Sequence, residues 1–244
     1  MQIGKILKKC LNKKDFKIDI KRLDVSLDDT DYDRGIKKLM NLLNYTKKSV
    51  VSYNAGQYDA GYHSFEINNY HFIGQRNPKL RFKDLPLSLK DKSVLDIGCN
   101  QGGMLYSFAD EIKYGIGIDY DPRMINAANK IKSYANTNNI DYYVFDLEKE
   151  NLGYIQDFLP DDRVDVVLLL SVCMWIKNWK EVIDFSHRIS GNMIFESNGS
   201  VDQQFEQVEY LQKAYNYVHL IHEKSEDDLT QKFRKLYYCS DNEI

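Results

Sequence analysis

Ser93-Val-Leu-Asp-Ile-Gly-Cys-Asn-Gln-Gly-Gly103 says more about this chain than any other stretch. Its apolar run, Val94 to Ile97, reads as a buried strand. The run breaks at Gly98 into a glycine-containing turn, and an apolar helical pattern of Met104, Leu105 and Phe108 comes next. Strand, glycine turn and helix together bring a nucleotide-like ligand onto exposed backbone N–H groups at a helix N-terminus. The next strand, Tyr114-Gly-Ile-Gly-Ile-Asp119, ends in an acid roughly 20 residues after Gly98. There a carboxylate can accept hydrogen bonds from two ribose hydroxyls.

Details of the turn narrow the ligand. A dinucleotide fold uses G-x-G-x-x-G, in which the second glycine lets backbone approach a pyrophosphate. Here the pattern is Asp96-x-Gly98-x-Asn100-x-Gly102, and Asn100 stands where that second glycine would be. Asparagine tolerates a left-handed backbone, but its side chain fills the space a pyrophosphate needs. An NAD-dependent oxidoreductase is therefore a poor reading. No Lys-Ser/Thr comes after the turn, which excludes a phosphate-binding P-loop.

Outward from this turn, the chain from Lys92 alternates strand and helix. Strands are expected at 93–98, 114–119, 140–146, 164–171, 191–197, 217–224 and 234–240. Helices fit at 102–111, 122–135, 178–189 and 202–215, with a shorter one near 153–158. The span 225–234 reads as either a helix or a long hairpin connection. Such βα alternation predicts an α/β fold, a parallel sheet with helices on both faces. Before it, Ile3, Ile6 and Leu7 suggest a short amphipathic helix, and Ile36, Leu39, Leu42 and Leu43 a longer one capped by Asp31 or Asp33. The acidic stretch from Ser26 reads as a loop, and residues 52–80 are aromatic and polar without clear periodicity. The expected division is an N-terminal helical or lid-like extension over 1–91 and a ligand-binding domain over 92–244.

Composition bounds the function. The chain has 244 residues, 43% of them hydrophobic, enough for one large α/β domain with an extension. A net charge of −3 gives no basic surplus of the kind that binds nucleic acid or anionic membranes. The longest apolar stretch, Val164 to Val172, is interrupted by Asp165 and is too short to span a bilayer. The N-terminus lacks the sustained apolar region of a secretory signal. Four scattered cysteines without a C-x-x-C fit reduced thiols, so a cytoplasmic protein is expected.

The run Asp96-Ile-Gly-Cys-Asn100-x-Gly102 resembles motif I of the class I S-adenosylmethionine (SAM) methyltransferases, usually written D/E-x-G-x-G-x-G. Further markers over residues 92–240 resemble the same family. Tyr120-Asp-Pro122-Arg-Met-Ile resembles its entry into the second helix, where Pro122 loses nothing by lacking an N–H. Tyr143-Val-Phe-Asp146-Leu147 resembles the end of its third strand, and Val164-Asp-Val-Val-Leu-Leu-Leu-Ser171 its motif IV, with Trp175 at the usual histidine position. The leader, Tyr58-x-x-x-Tyr62-His63-Ser and Gly74-Gln-Arg76, resembles that of methyltransferases acting on small metabolites and sugars, including relatives from surface-polysaccharide pathways.

The resemblance implies a doubly wound, seven-stranded, mostly parallel sheet and SAM as cofactor, with S-adenosylhomocysteine as product. It implies a cofactor set of Gly98, Asn100, Gly102, Asp119 and Tyr120, with Asp119 on the ribose. Asp96 either orients the turn or reaches the SAM amino group through water. Asp146 accepts from the adenine amino group, with Leu147 backbone beside it, or else caps the next helix. Ser171 lines the cofactor or only satisfies backbone groups. Arg76 suits the methionyl carboxylate by a bidentate contact, or is structural. If the acceptor is a hydroxyl, His63 is the first choice of base and Glu196 the second, with Tyr62 beside the methyl. Tyr58, Trp175 and Asn198 are candidate acceptor-binding residues, Trp175 being alternatively core. No metal is expected: His219 and His222 should point to opposite faces of a strand. The partner is then a small-molecule acceptor rather than nucleic acid, and the chain a monomer or homodimer. A tRNA methyltransferase is the runner-up, and a non-catalytic SAM-binding regulatory module a third reading.

Overall fold

The apolar spacing of Ile36, Leu39, Met40 and Leu43 closes into an amphipathic helix, α1 (Arg34–Thr46), that buries all four. The computed structural model describes residues 34–47, 55–67, 70–228 and 230–243. The short helix expected around Ile3, the acidic loop from Ser26 and the Asp31 or Asp33 cap lie outside them.

The segment that showed no periodicity folds into four strands of three residues each: β1 (Gly61–His63), β2 (Phe65–Ile67), β3 (Tyr70–Phe72) and β4 (Gly74–Arg76). Strands this short carry no readable period. β1 pairs in parallel with β4, placing His63 opposite Arg76, and β2 and β3 form a hairpin. A one-turn helix, α2 (Pro78–Arg81), comes next, opened by Asn77, whose side chain accepts from Lys79 and Leu80 N–H.

The main sheet comprises β5 (Ser93–Ile97), β6 (Tyr114–Asp119), β7 (Ile140–Val144), β8 (Val166–Leu170), β9 (Asn192–Glu196), β10 (Tyr217–His222) and β11 (Leu236–Ser240). Their order is β10-β11-β9-β8-β5-β6-β7, and only β11 runs antiparallel to its two neighbours. Every residue of β5 and β8 is buried, as expected of strands covered on both faces. Leu95, Ile97, Val167, Leu169 and Phe195 face helices α5 (Trp179–Ile189) and α6 (Val201–Ala214). Val94, Val166, Leu168 and Ile194 face α3 (Gly103–Ser107) and α4 (Pro122–Tyr134). The expected doubly wound fold is therefore present. Asp121 caps α4 by accepting from Arg123 N–H, with Pro122 in the first turn. A reciprocal Ser200–Gln203 capping box opens α6.

Three expectations need correction. Helix α3 ends at Ser107 rather than 111, since Asp110 and Glu111 would oppose the negative end of a longer helix. The segment 153–158 is a 3-10 helix (Leu152–Phe158). His219 and His222 do not point to opposite faces. A bulge after Leu220 shifts the register, so His219 opposes Tyr238 and His222 opposes Leu236, two residues on one face of β11. Two histidines still do not define a metal site.

Candidate functional site

The sheet order reverses between β5 and β8, which opens a crevice beyond their C-terminal ends. The loop leaving β5 lines it. Gly98, Asn100 and Gly102 all have positive φ, at 76°, 52° and 72°. Asn100 thus adopts the left-handed conformation that its residue type tolerates. Its side-chain Oδ1 accepts from Gln101 N–H at 2.9 Å, and its own N–H donates to Asp119 Oδ2 at 2.9 Å. Asp119 Oδ1 accepts from Asp121 N–H at 2.9 Å. One carboxylate at the tip of β6 thereby braces two loops. Burial pushes its pKa up to about 6, against the pull of those two backbone donors.

Asp96 lies in the same crevice. Burial pushes its pKa up to about 7, with Arg81 opposing and the Asp119 charge adding to the rise. Its Oδ2 is buried without a hydrogen-bond partner. A lone acceptor of this kind suits an external donor such as an amino group. Tyr120, half exposed, comes directly after Asp119. At the end of β7, Asp146 accepts from Glu148 N–H at 3.1 Å and from Lys149 Nζ at 2.6 Å, which lowers its pKa. Each Asp146 oxygen keeps a further lone pair, so this capping arrangement and an adenine contact are compatible. The Leu147 carbonyl accepts from Asn178 Nδ2 at 2.6 Å.

The leader closes over this loop. His63 is buried, and both of its ring nitrogens lack a partner. Burial, then Arg81 and Arg76, hold its pKa well below the usual histidine value, so the ring is neutral. A Cβ at Gly103 would stand 2.2 Å from His63 Cβ, so only glycine fits that first helical position. Tyr62 packs edge-on against the His63 ring with centroids 4.7 Å apart. Gln101, which sequence reasoning did not single out, ties the parts together. It accepts from Tyr62 N–H at 2.9 Å and donates to Thr46 Oγ1 at 3.0 Å. Tyr58 lies further out, its hydroxyl 3.4 Å from Thr230 Oγ1.

Arg76 is fully buried and already committed. Its guanidinium contacts Glu196 at 2.6 and 3.1 Å and Asp227 at 2.7 and 3.0 Å. No free edge remains for a methionyl carboxylate, so that expected role does not fit. Glu196 also accepts from both Arg81 Nε and Nη2, at 3.1 and 2.5 Å, and from Ser171 Oγ. Burial alone would raise its pKa, but Arg76 and Arg81 hold it below the usual carboxylate range. A carboxylate so tied is a poor base, which overturns the second-choice role for Glu196. Asp228 and Arg234 complete the cluster, Asp228 Oδ2 lying 3.5 Å from Arg76 and 3.7 Å from Arg234. Ser171 is held inside it, accepting from Arg234 Nη1 at 3.2 Å. Asn198 is buried, donating to the Ser171 carbonyl at 2.5 Å and accepting from Met174 N–H at 3.0 Å. It anchors loops rather than meeting an acceptor. Trp175 is 69% exposed, so its core alternative is excluded.

Arg81, Asp227, Asp228 and Arg234 were missed because the sequence offered only isolated charges. The partner acids lie about 150 positions from Arg76 (151 for Asp227), so no local spacing announces them.

A protein-family model described as "Methyltransferase domain" matches residues 71–236. No curated protein matches the chain. Among solved structures, the N-terminal domain of EvdMO1, crystallised in the presence of SAH and D-fucose, superposes with a TM-score of 0.55. It is 12% identical, over 78% of this chain and 95% of that one. Precorrin 8W decarboxylase of Methanobacterium thermoautotrophicum gives 0.51 at 15% identity, over 67% of this chain and 88% of that one. WbdD bound to the kinase inhibitor LY294002 gives 0.50 at 19%, over 68% of this chain and 40% of that one. At these identities the likeness is one of fold.

Proposed function

Because this chain belongs to the methyltransferase domain family, we propose that it transfers a methyl group from SAM to an oxygen of a small molecule. The acceptor class is a sugar, or a nucleotide-linked or phosphorylated precursor of a surface polysaccharide. The observation that carries the cofactor side is the pair of buried acids at the crevice: Asp119 braced by Asn100 and Asp121 N–H, and Asp96 with an unpartnered oxygen. SAM, when bound, supplies a methyl on a positively charged sulfur and leaves as S-adenosylhomocysteine.

Each Asp119 oxygen has a lone pair beyond its backbone donor, and these accept the two ribose hydroxyls. Asp96 Oδ2 receives the amino group. Tyr120 covers the nucleoside, and Gly98, Asn100 and Gly102 shape the backbone beneath it. Transfer is an in-line displacement, so the chain's main work is alignment. A hydroxyl acceptor must also lose its proton. His63 is the group we assign to receive it because both its nitrogens are uncommitted. Burial and the Arg81 and Arg76 charges make it a weak base, so it takes the proton only as the methyl is transferred, with Tyr62 packed on the ring edge.

Two points support the acceptor class. The chain has no basic surplus. The EvdMO1 domain, a fold neighbour, was crystallised in the presence of a sugar.

The test is S-adenosylhomocysteine release from SAM with sugar nucleotides, phosphorylated metabolites and bulk tRNA in separate wells. Turnover is expected in the first two pools. Turnover with tRNA alone would replace the acceptor reading, and silence throughout with SAM bound would point to a regulatory module. His63→Ala should cut turnover by about 10²–10⁴ with SAM affinity unchanged. Full activity in that variant would remove His63 as the base.

Cofactor binding should also be linked to pH. With pKa values raised to about 7 and about 6, Asp96 and Asp119 are partly protonated near neutrality in the free protein. A cationic amino group at Asp96 favours its ionised form. SAM affinity should therefore weaken as pH falls through 7 towards 6, with a proton released on binding. Calorimetry at pH 6.5 in two buffers of different ionisation enthalpy reads that proton directly. No difference between the buffers would contradict the assignment of Asp96.

A further inference from the structure

Gln101 stands in the cofactor turn between Asn100 and Gly102, yet only 1% of it is exposed, whereas glutamine is a surface residue type. The bonds that shape the turn run through other atoms. Asn100 N–H goes to Asp119, Gln101 N–H to Asn100 Oδ1 and Gly102 N–H to the Cys99 carbonyl. The Gln101 side-chain amide instead leaves the turn. Its Oε1 accepts from Tyr62 N–H in β1, 39 positions away, and its Nε2 donates to Thr46 Oγ1 at the end of α1, 55 positions away.

Both contacts are shaped to that amide. Thr46 is fully buried, and its hydroxyl donates onward to the Leu43 carbonyl at 2.7 Å, so the oxygen that meets Gln101 is turned to accept. Gly61 has a φ of 82°, and a Cβ there would stand 2.9 Å from Gln101 Nε2. Next along β1 is His63, packed on Gly103 of the same loop. Its ring nitrogens make no hydrogen bond, so packing and the β1 backbone alone fix where it points. Gln101 grips that backbone one residue away.

We propose that Gln101 is a positioning residue that couples the leader to the cofactor turn and so holds His63 in place when SAM is bound. This rests on the assignment of His63 as the group that receives the proton, and deepens it. The contacts are continuous: Asp119 holds Asn100 N–H, Asn100 Oδ1 holds Gln101 N–H, and Gln101 Oε1 holds Tyr62 N–H. A ligand that steadies Asp119 therefore steadies β1. A glutamine that merely filled space would hold the leader equally well with the crevice empty or full.

Hydrogen exchange read by mass spectrometry, with S-adenosylhomocysteine as the probe, distinguishes the two roles. In the unmodified chain the ligand should slow exchange over residues 58–66 and 40–47 by about tenfold or more. Gln101→Met keeps the side-chain length and the backbone of the turn but removes both bonds. It should bind the ligand within about threefold of normal and lose the slowing in both segments. Thr46→Val should lose it over 40–47 alone, and Thr46→Ser, which keeps the hydroxyl, in neither. In the acceptor pool that turns over, Gln101→Met should lower kcat about tenfold with KM for SAM unchanged, and should add no further loss to His63→Ala, because residues acting through one step are not additive. Slowing that persists in Gln101→Met, or that is missing from the unmodified chain with ligand bound, overturns the coupling. A Gln101→Met loss that adds in full to that of His63→Ala overturns it too, by leaving Gln101 a purely structural role. If Gln101→Met does not fold, the Thr46 pair decides, and equal slowing in Thr46→Val and Thr46→Ser overturns the coupling. An unmodified chain that binds no S-adenosylhomocysteine would instead refute the methyltransferase reading beneath it.

Discussion

Replacing Arg76 with alanine should lower the unfolding free energy by about 3–5 kcal/mol, the cost of stripping one partner from a buried ion pair. The guanidinium is fully buried and satisfies Glu196 and Asp227 through four contacts. Its removal leaves Asp227 buried without that counter-charge and Glu196 dependent on Arg81. Against a typical total of about 5–15 kcal/mol, the loss would bring the chain close to unfolding at physiological temperature. Urea titration monitored by circular dichroism measures it, and a loss under about 1 kcal/mol would show that the cluster is no structural clasp. The same cluster sets an acid limit. Glu196 has its pKa lowered in the folded chain, so its contribution is present above the unfolded value of about 4.3 and is lost as pH falls below it.

Asp119→Ala should weaken SAM binding by about 10²–10⁴-fold, the loss of two hydrogen bonds to a charged group at about 1.5–3 kcal/mol each. Part of the effect comes from the loop itself. Asn100 and Asp121 N–H both point at this carboxylate, so its removal also frees the backbone that shapes the crevice. Asp119→Asn separates the two contributions, because the amide keeps one acceptor oxygen for the loop and loses the charge. Equilibrium dialysis with labelled SAM gives both affinities. An unchanged affinity in Asp119→Ala would overturn the ribose assignment.

The sequence spelled out the wound sheet because its strands are long enough to show burial. Val166–Leu170 is continuous apolar chain, and Tyr114–Asp119 ends in an acid where a strand meets solvent. The turn at Gly98 was equally legible, since left-handed positions leave only glycine and asparagine as common choices. The leader was not, because its three-residue strands have no period and its pairing depends on contacts elsewhere. Arg76 stood out as a functional cation, yet its partners come from the far end of the chain, and Asp227 and Asp228 look like an ordinary solvated pair in sequence. Glu196 was misjudged for the same reason: at the end of a strand it resembles a base until Arg76 and Arg81 are seen to hold it.

The clasp also has a consequence for synthesis. Arg76 meets Asp227 across 151 positions of chain. On a ribosome the leader therefore emerges long before its partners, by on the order of 10–30 s at usual elongation rates. During that interval Arg76 lacks its Asp227 counter-charge, while Tyr62 and His63 can already dock on Gln101 and Gly103. The leader's apolar side chains, Phe65, Ile67 and Phe72, can settle earlier against Ala127 and Ile131 of α4, but the charged clasp closes only once the span between β10 and β11 is made. Closure of the clasp and formation of the β10–β11 hairpin are then one event, so Arg76 is the charge of the leader left longest without its full set of partners.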